Sequence, residues 1–186
     1  MMEIHIIRHG KTLANEKRLY CGQTDLPLSE NGAKEIAQLK DRGIYPDSGA
    51  YFTSGLLRCE QTLDIIFGGV QREAVPGLAE CRFGEFEMKS YEQLRERADY
   101  QAWINDETGN FECPGGESRK RFEKRAINAF KQIKEPAFVV CHGGAIAAIM
   151  EYLFPKTKNF YEWQPGPGRG YTLSCVFGKG YEYKKI

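Results

Sequence analysis

Two strand-length apolar runs in this chain each end in histidine followed by glycine: E-I-H-I-I-R before His9-Gly10, and A-F-V-V-C before His142-Gly143-Gly144. Short β-branched runs that stop at glycine read as strands delivering polar groups at their carboxyl ends. Between them the pattern alternates. Ser29 is expected to cap a helix over residues 30–42 with Ala33, Ile36 and Ala37 on one face and Gly43 as its stop. A strand follows over 50–53, then a helix capped by Ser54 to about Phe67 and a weak strand over 70–75.

Ser90 and Gln93 form a capping-box pattern ahead of a helix to Ile104. Ser118 opens another helix with Phe122, Ala126, Phe130 and Ile133 inward, and a helix over 145–154 follows the second His-Gly pair. Residues 171–178 and 181–185 suggest a closing hairpin over Gly178-Lys179-Gly180. The expected fold is therefore α/β, a three-layer α/β/α sandwich with a mainly parallel sheet, as one domain over residues 1–186. In open sheets of this kind ligands sit beyond the carboxyl ends of the strands, which puts His9 and His142 on the rim of the site.

Composition narrows the partners. A formal net charge of +1 gives no global field for nucleic acid or an anionic membrane, so attraction to anions must be local. No apolar stretch approaches the roughly 20 residues of a bilayer span, and the start lacks the apolar core of a signal peptide, so a cytoplasmic location is expected. Six cysteines (Cys21, Cys59, Cys81, Cys113, Cys141 and Cys175) lie far apart without a C-x-x-C pair, and only three histidines accompany them. Reduced thiols are the expectation, with no metal and no cofactor.

The first His-Gly pair opens R-H-G-K-T-L-A-N, reaching Thr12 and Asn15. Downstream stand G-Q-T-D-L-P-L-S-E-N-G from Gly22, S-G-L-L-R-C-E-Q-T from Ser54, L-A-E-C-R-F-G-E-F-E from Leu78, G-G-E-S from Gly115 and V-V-C-H-G-G from Val139. This ordered set resembles the histidine phosphatase superfamily, the phosphoglycerate-mutase-like proteins, over Ile4 to about Val176. The resemblance makes His9 the nucleophile, with Arg8, Arg58 and His142 around the transferred phosphoryl group. It implies a side-chain contact from Asn15, a backbone N–H from Gly143, and Glu80 as proton donor, with Thr12 and Gly22 among the substrate-binding residues. Departures are small: Leu63 stands where the family often has Ala, Phe86 for a common Trp, Met88 for a common Gly, and Cys141 for a common Ser.

Physical chemistry agrees with those roles. Phosphate monoesters resist hydrolysis so strongly that charge neutralisation and positioning must be severe. Two guanidiniums, each a rigid and permanently charged fork, suit the phosphoryl oxygens. An imidazole attacks phosphorus only when neutral, and nearby arginines favour that form. His142 suits the protonated role of donor to the developing oxyanion.

Blander readings stand beside these. His5 alternates with Ile4 and Ile6 as a sheet-face residue, and Arg82, Trp103 and Arg169 are explained equally well as an exposed charge or a packed indole. Glu85 and Glu87 share the stretch of Glu80, and either could be the acid.

The leading function is a phosphomonoester hydrolase acting on a small phosphorylated metabolite. The alternatives are a phosphoglycerate-type mutase, a broad sugar or nucleotide phosphatase, and, ranked last, a non-catalytic phospho-ligand binding module. F-G-E-F-E-M with Y-Q-A-W-I-N-D is similar to the subgroup acting on α-ribazole 5′-phosphate in cobalamin assembly.

Overall fold

The computed structural model describes residues 2–176 and 180–186. The chain runs β1 (Met2–Arg8), α1 (Leu13–Glu16), α2 (Glu30–Asp41), β2 (Ala50–Thr53), α3 (Leu57–Phe67) and β3 (Glu73–Ala74). Then come α4 (Tyr91–Leu94), α5 (Ala98–Ile104), α6 (Arg119–Phe130), β4 (Ala137–Cys141), α7 (Gly143–Leu153), α8 (Phe160–Trp163), β5 (Gly170–Val176) and β6 (Gly180–Lys185). The six strands form one sheet in the order β3-β2-β4-β1-β5-β6. Strands β3, β2, β4 and β1 are parallel, and β5 and β6 add antiparallel at one edge.

The three layers follow from period-two burial in the central strands. Ala137, Val139 and Cys141 face α6 and α7 with Ile4 and Ile6, whereas Phe138 and Val140 face α2 and α3 with Ile7, Ile36, Cys59 and Leu63. All five β4 residues are buried because both faces are covered. A separate cluster of Phe86, Leu94, Tyr100 and Cys113, with Tyr20, Phe83 and Trp103 against it, is built by the loops and by α4 and α5.

Several elements differ from the sequence expectation. The 90–104 helix is two pieces, because Arg97 takes extended backbone (φ −80°, ψ 130°) and pairs with Asp99 and Glu85. Ser54 does not cap α3. That place falls to Leu56, which makes no side-chain cap bond, after Gly55 has turned the chain at φ +83°. The strand over 70–75 shrinks to two exposed edge residues, and α7 starts at Gly143, with His142 as its N-cap. β5 and β6 pair as the expected hairpin, while Gly178 and Lys179 of its turn lie outside the described residues.

Phe138 is fully buried between Phe67, Tyr45 and His5, with the Phe67 ring centroid 4.8 Å away. Phe138→Ala should lower unfolding free energy by about 3–5 kcal/mol in urea denaturation. Tyr161→Ala, at a side chain 79% exposed, should stay within about 0.5 kcal/mol of the parent.

Candidate active site

Strand register builds the floor of the site. Arg8 pairs with Cys141 across the parallel β1–β4 ladder, and the His9 N–H donates to the Cys141 carbonyl at 3.0 Å, so the next residues, His9 and His142, fall side by side. Their ring centroids are 5.0 Å apart in an edge-to-face arrangement. The His9 Nδ1 lies 2.6 Å from the Gly10 carbonyl, which can only accept, so Nδ1 carries the proton and Nε2 keeps its lone pair. That lone pair meets the Arg58 Nε–H at 3.2 Å.

Arg58 enters from the first turn of α3, its side chain directed back past the N-terminal end of the helix, and it is fully buried. Its Nη1 donates to Thr24 O at 2.9 Å, and its Nη2 donates to Gly22 O at 2.5 Å and to His142 Nδ1 at 3.3 Å. Since His142 Nδ1 accepts, its Nε2–H is the donor to Ser54 Oγ at 2.8 Å. Arg8 donates from Nη1 to Pro165 O at 3.1 Å, while its buried Nε has no partner among the described residues. Burial, then Arg58 and Arg8, hold the His9 pKa well below 6.5 against the opposing Gly10 bond. Burial, His9 and the arginines do the same to His142. Two neutral imidazoles beside two guanidiniums make a site for an oxyanion, and an anion that took the Arg58 N–H groups would release an imidazole to act as a base or nucleophile.

The three glutamates separate. Glu80 lies against the N-terminus of α7, where its Oε2 accepts from the Gly144 N–H at 2.9 Å and its Oε1 from Cys81 N–H at 3.0 Å. A Cβ on Gly144 would lie 2.3 Å from Glu80 Oε1, so that approach requires glycine. Glu85 instead pairs with Arg97 at 2.9 Å on the surface, and Glu87 binds the amides of the 22–24 loop. Glu80, Arg8, Asn15 and Gly144 line a cleft of about 390 Å³ whose outer wall includes Tyr20, Phe83, Trp103, Phe111, Phe160 and Tyr161.

Of the other residues selected from sequence, Asn15 borders the cleft, and Thr12 is spent on it, donating from its hydroxyl to Asn15 Oδ1 and capping α1. Gly143 lies against the Arg8 guanidinium, where a Cβ would stand 3.4 Å from Nη1. Gly22 serves Arg58 by its carbonyl, and a Cβ there would lie 1.8 Å from Cys81 O. Trp103 is on the cleft wall; Arg82 is exposed and bonds Gly116 O; the Arg169 carbonyl accepts from the Arg8 N–H. His5 bonds Thr172 Oγ1 at 2.9 Å on the buried sheet face.

Sequence reading missed the groups that act through others. Thr62 Oγ1 accepts from Gly10 N–H and donates to Arg58 O, tying the loop after His9 to α3. Arg125, paired with Glu117 at 2.6 Å, donates to the carbonyls of Gly77, Ala79 and Glu80 and holds the acidic loop in place. Glu117 lies in the G-G-E-S block, the one signal that pointed to this clamp.

Among known proteins, the Histidine phosphatase superfamily (branch 1) matches residues 4–175. The 2,3-bisphosphoglycerate-dependent phosphoglycerate mutase of Beijerinckia indica is 29% identical over 187 residues, covering 90% of each chain. The Adenosylcobalamin/alpha-ribazole phosphatase of Salmonella typhimurium is 27% identical over 162 residues, 82% of this chain and 79% of that one. A phosphoglycerate mutase structure from Thermus thermophilus superposes with a TM-score of 0.76 at 29% identity, covering 100% of this chain and 98% of the other.

All three histidines have folded-state pKa values below 6.5, His5 by burial against an opposing Glu3. The unfolded chain therefore binds protons from about pH 6.5 downward that the folded chain refuses, and stability that is full above this range falls as pH drops, by up to about 1.4 kcal/mol per pH unit per histidine. Urea midpoints between pH 8 and 5 should show the decline, and His9→Ala should flatten it.

Proposed function

Because the chain belongs to the histidine phosphatase superfamily (branch 1), we propose that it hydrolyses a small phosphorylated metabolite through a phosphohistidine on His9. The observation that carries this reading is the His9 Nε2 lone pair held beside the Arg58 guanidinium, with Arg8, Asn15 and Glu80 lining the cleft above.

In the first step a phosphoryl oxygen takes the Arg58 Nε–H and frees Nε2, which attacks phosphorus in line with the leaving oxygen. The N–P bond forms as the ester P–O bond breaks, and Glu80 gives its proton to the leaving oxygen. Arg8 and Arg58 neutralise the equatorial oxygens, and the buried Arg8 Nε, unpartnered among the described residues, suits one of them. The phosphate dianion offsets the neighbouring arginines at His142, which takes up a proton from solvent as the substrate binds, donates to the oxyanion, and returns the proton to solvent when inorganic phosphate leaves. Water then attacks the phosphohistidine, giving its proton to Glu80 and releasing inorganic phosphate and free His9.

A mutase must hold a bisphosphorylated intermediate and exclude water. Here the outer wall is aromatic, and its cation Arg119 is engaged by Glu123 at 2.6 Å and Glu151 at 3.5 Å. That favours hydrolysis of a monophosphate whose leaving group is largely apolar or planar. α-Ribazole 5′-phosphate fits this description, and α-ribazole is in the name of the Salmonella typhimurium relative. A broad sugar or nucleotide phosphatase is the second reading; equal rates on a panel of phosphomonoesters would favour it. A binding module is the least favoured, since every candidate reacting group is present.

Rapid quench with labelled substrate should trap an acid-labile, base-stable phosphate that His9→Ala lacks; an active enzyme with no trapped label at His9 would overturn the covalent route. Glu80→Gln should lose about 10²–10⁴-fold on an alkyl phosphate and less on p-nitrophenyl phosphate, whose phenolate leaves unaided. Activity should survive EDTA, and 3-phosphoglycerate should yield no 2-phosphoglycerate; efficient interconversion would make the mutase reading the correct one.

A further inference from the structure

Glu87 is outside the cleft, yet its carboxylate is one of the most heavily bonded in the chain. Oε2 accepts from Gly22 N–H at 3.0 Å, from Thr24 N–H at 3.4 Å and from Thr24 Oγ1 at 2.8 Å. Oε1 accepts from Gln23 N–H at 3.0 Å and Phe83 N–H at 3.1 Å. Three successive amides thus point at one carboxylate, in the manner of an anion nest. The carbonyls of the same loop point the other way: Gly22 O and Thr24 O receive the Arg58 Nη2 and Nη1.

One peptide unit carries both contacts. The Gly22 carbonyl and the Gln23 N–H belong to the same amide, which accepts from the guanidinium on one side and donates to the Glu87 carboxylate on the other. An amide bonded to an anion through its N–H is a stronger acceptor at its oxygen, so the arrangement is an ion pair relayed through one peptide. The peptide is held without slack, because Gly22 lies where a Cβ would meet Cys81 O. Met88, in place of the family's common Gly, follows Glu87 at φ +58° and donates to Tyr20 O at 2.7 Å, which fixes the turn presenting the carboxylate.

We infer that Glu87 is a positioning residue of the phosphoryl site, which sets the plane and aim of the Arg58 guanidinium through the 22–23 peptide. This rests on the catalytic reading of His9 and Arg58. It also explains why a second acidic residue stands so near Glu80 without reaching the cleft: the two carboxylates serve opposite ends of the reaction, Glu80 the leaving oxygen and Glu87 the phosphoryl group.

The test is a double-mutant cycle of Glu87→Gln and Arg58→Ala, read on p-nitrophenyl phosphate and on an alkyl phosphate, with inorganic phosphate as competitive inhibitor. Glu87→Gln should lower kcat/KM by about 10- to 100-fold, the worth of one charge-assisted hydrogen bond. The loss should be equal on both esters, in contrast to Glu80→Gln, and phosphate inhibition should weaken by a similar factor. The acid limb of the pH profile should move up, because a misplaced Arg58 depresses His9 less. In the Arg58→Ala background Glu87→Gln should add nothing.

An equal loss in that background, or a loss confined to the alkyl ester, would overturn the inference. Should Glu87→Gln fail to fold, the same cycle with Thr24→Val, which removes one of the five bonds, must show a smaller but equally Arg58-dependent loss, and an additive one would overturn it. Trapping phosphohistidine in the parent enzyme separates the two levels: no label removes the catalytic reading, whereas a label with an additive cycle removes only the role of Glu87.

Discussion

A guanidinium cannot shed its charge at any physiological pH, and Arg58 is fully buried. Much of the site is arranged around that constraint. Two loop carbonyls and two imidazole nitrogens take its N–H groups, and none of these four acceptors carries a negative charge. Compensation by dipoles rather than by an adjacent carboxylate leaves the guanidinium's field projecting onto the floor of the cleft. A direct salt bridge would have cancelled it.

The imidazoles inherit their state from this arrangement. Each is confined to one tautomer by a partner with a single hydrogen-bonding role, His9 by the Gly10 carbonyl, which only accepts, and His142 by the Arg58 guanidinium, which only donates, so each presents its basic nitrogen to Arg58. Burial first, and then the arginine charge that would attract an anion, keep His9 unprotonated, which makes the parallel ladder between β1 and β4 a chemical as well as an architectural feature.

The elements written in side-chain pattern were legible in the sequence. The two His-Gly strand ends, the burial of Phe122, Ala126, Phe130 and Ile133 along the sixth helix, and the cap at Ser29 all follow from periodicity or from a side chain bonding its own neighbours. What escaped depends on partners distant in the chain. Ser54 reads as a helix cap because serine before a helix commonly is one, but its hydroxyl is claimed by His142, 88 residues away. Glu80, Glu85 and Glu87 look equivalent in sequence, and only the packing of their loop against the 22–24 segment and the seventh helix separates them. Arg97 broke a helix that its local pattern supports, since two acidic partners hold it in an extended conformation.

Tyr20 and Trp103 of the aromatic wall pack on a small cluster of their own, whereas Phe83 also touches, and Phe160 packs against, a cluster that clamps the sheet. The floor and the Tyr20–Trp103 part of the wall can therefore vary on different terms. A change at Trp103 or Tyr20 perturbs a small satellite cluster and leaves the strand ends where they are, whereas a change at Gly22 or Arg58 reaches both imidazoles through the guanidinium. The outer side of the cleft can thus be rebuilt without moving the two histidines, so a change in what fits the cleft is easier to reach than a change in what its floor can do.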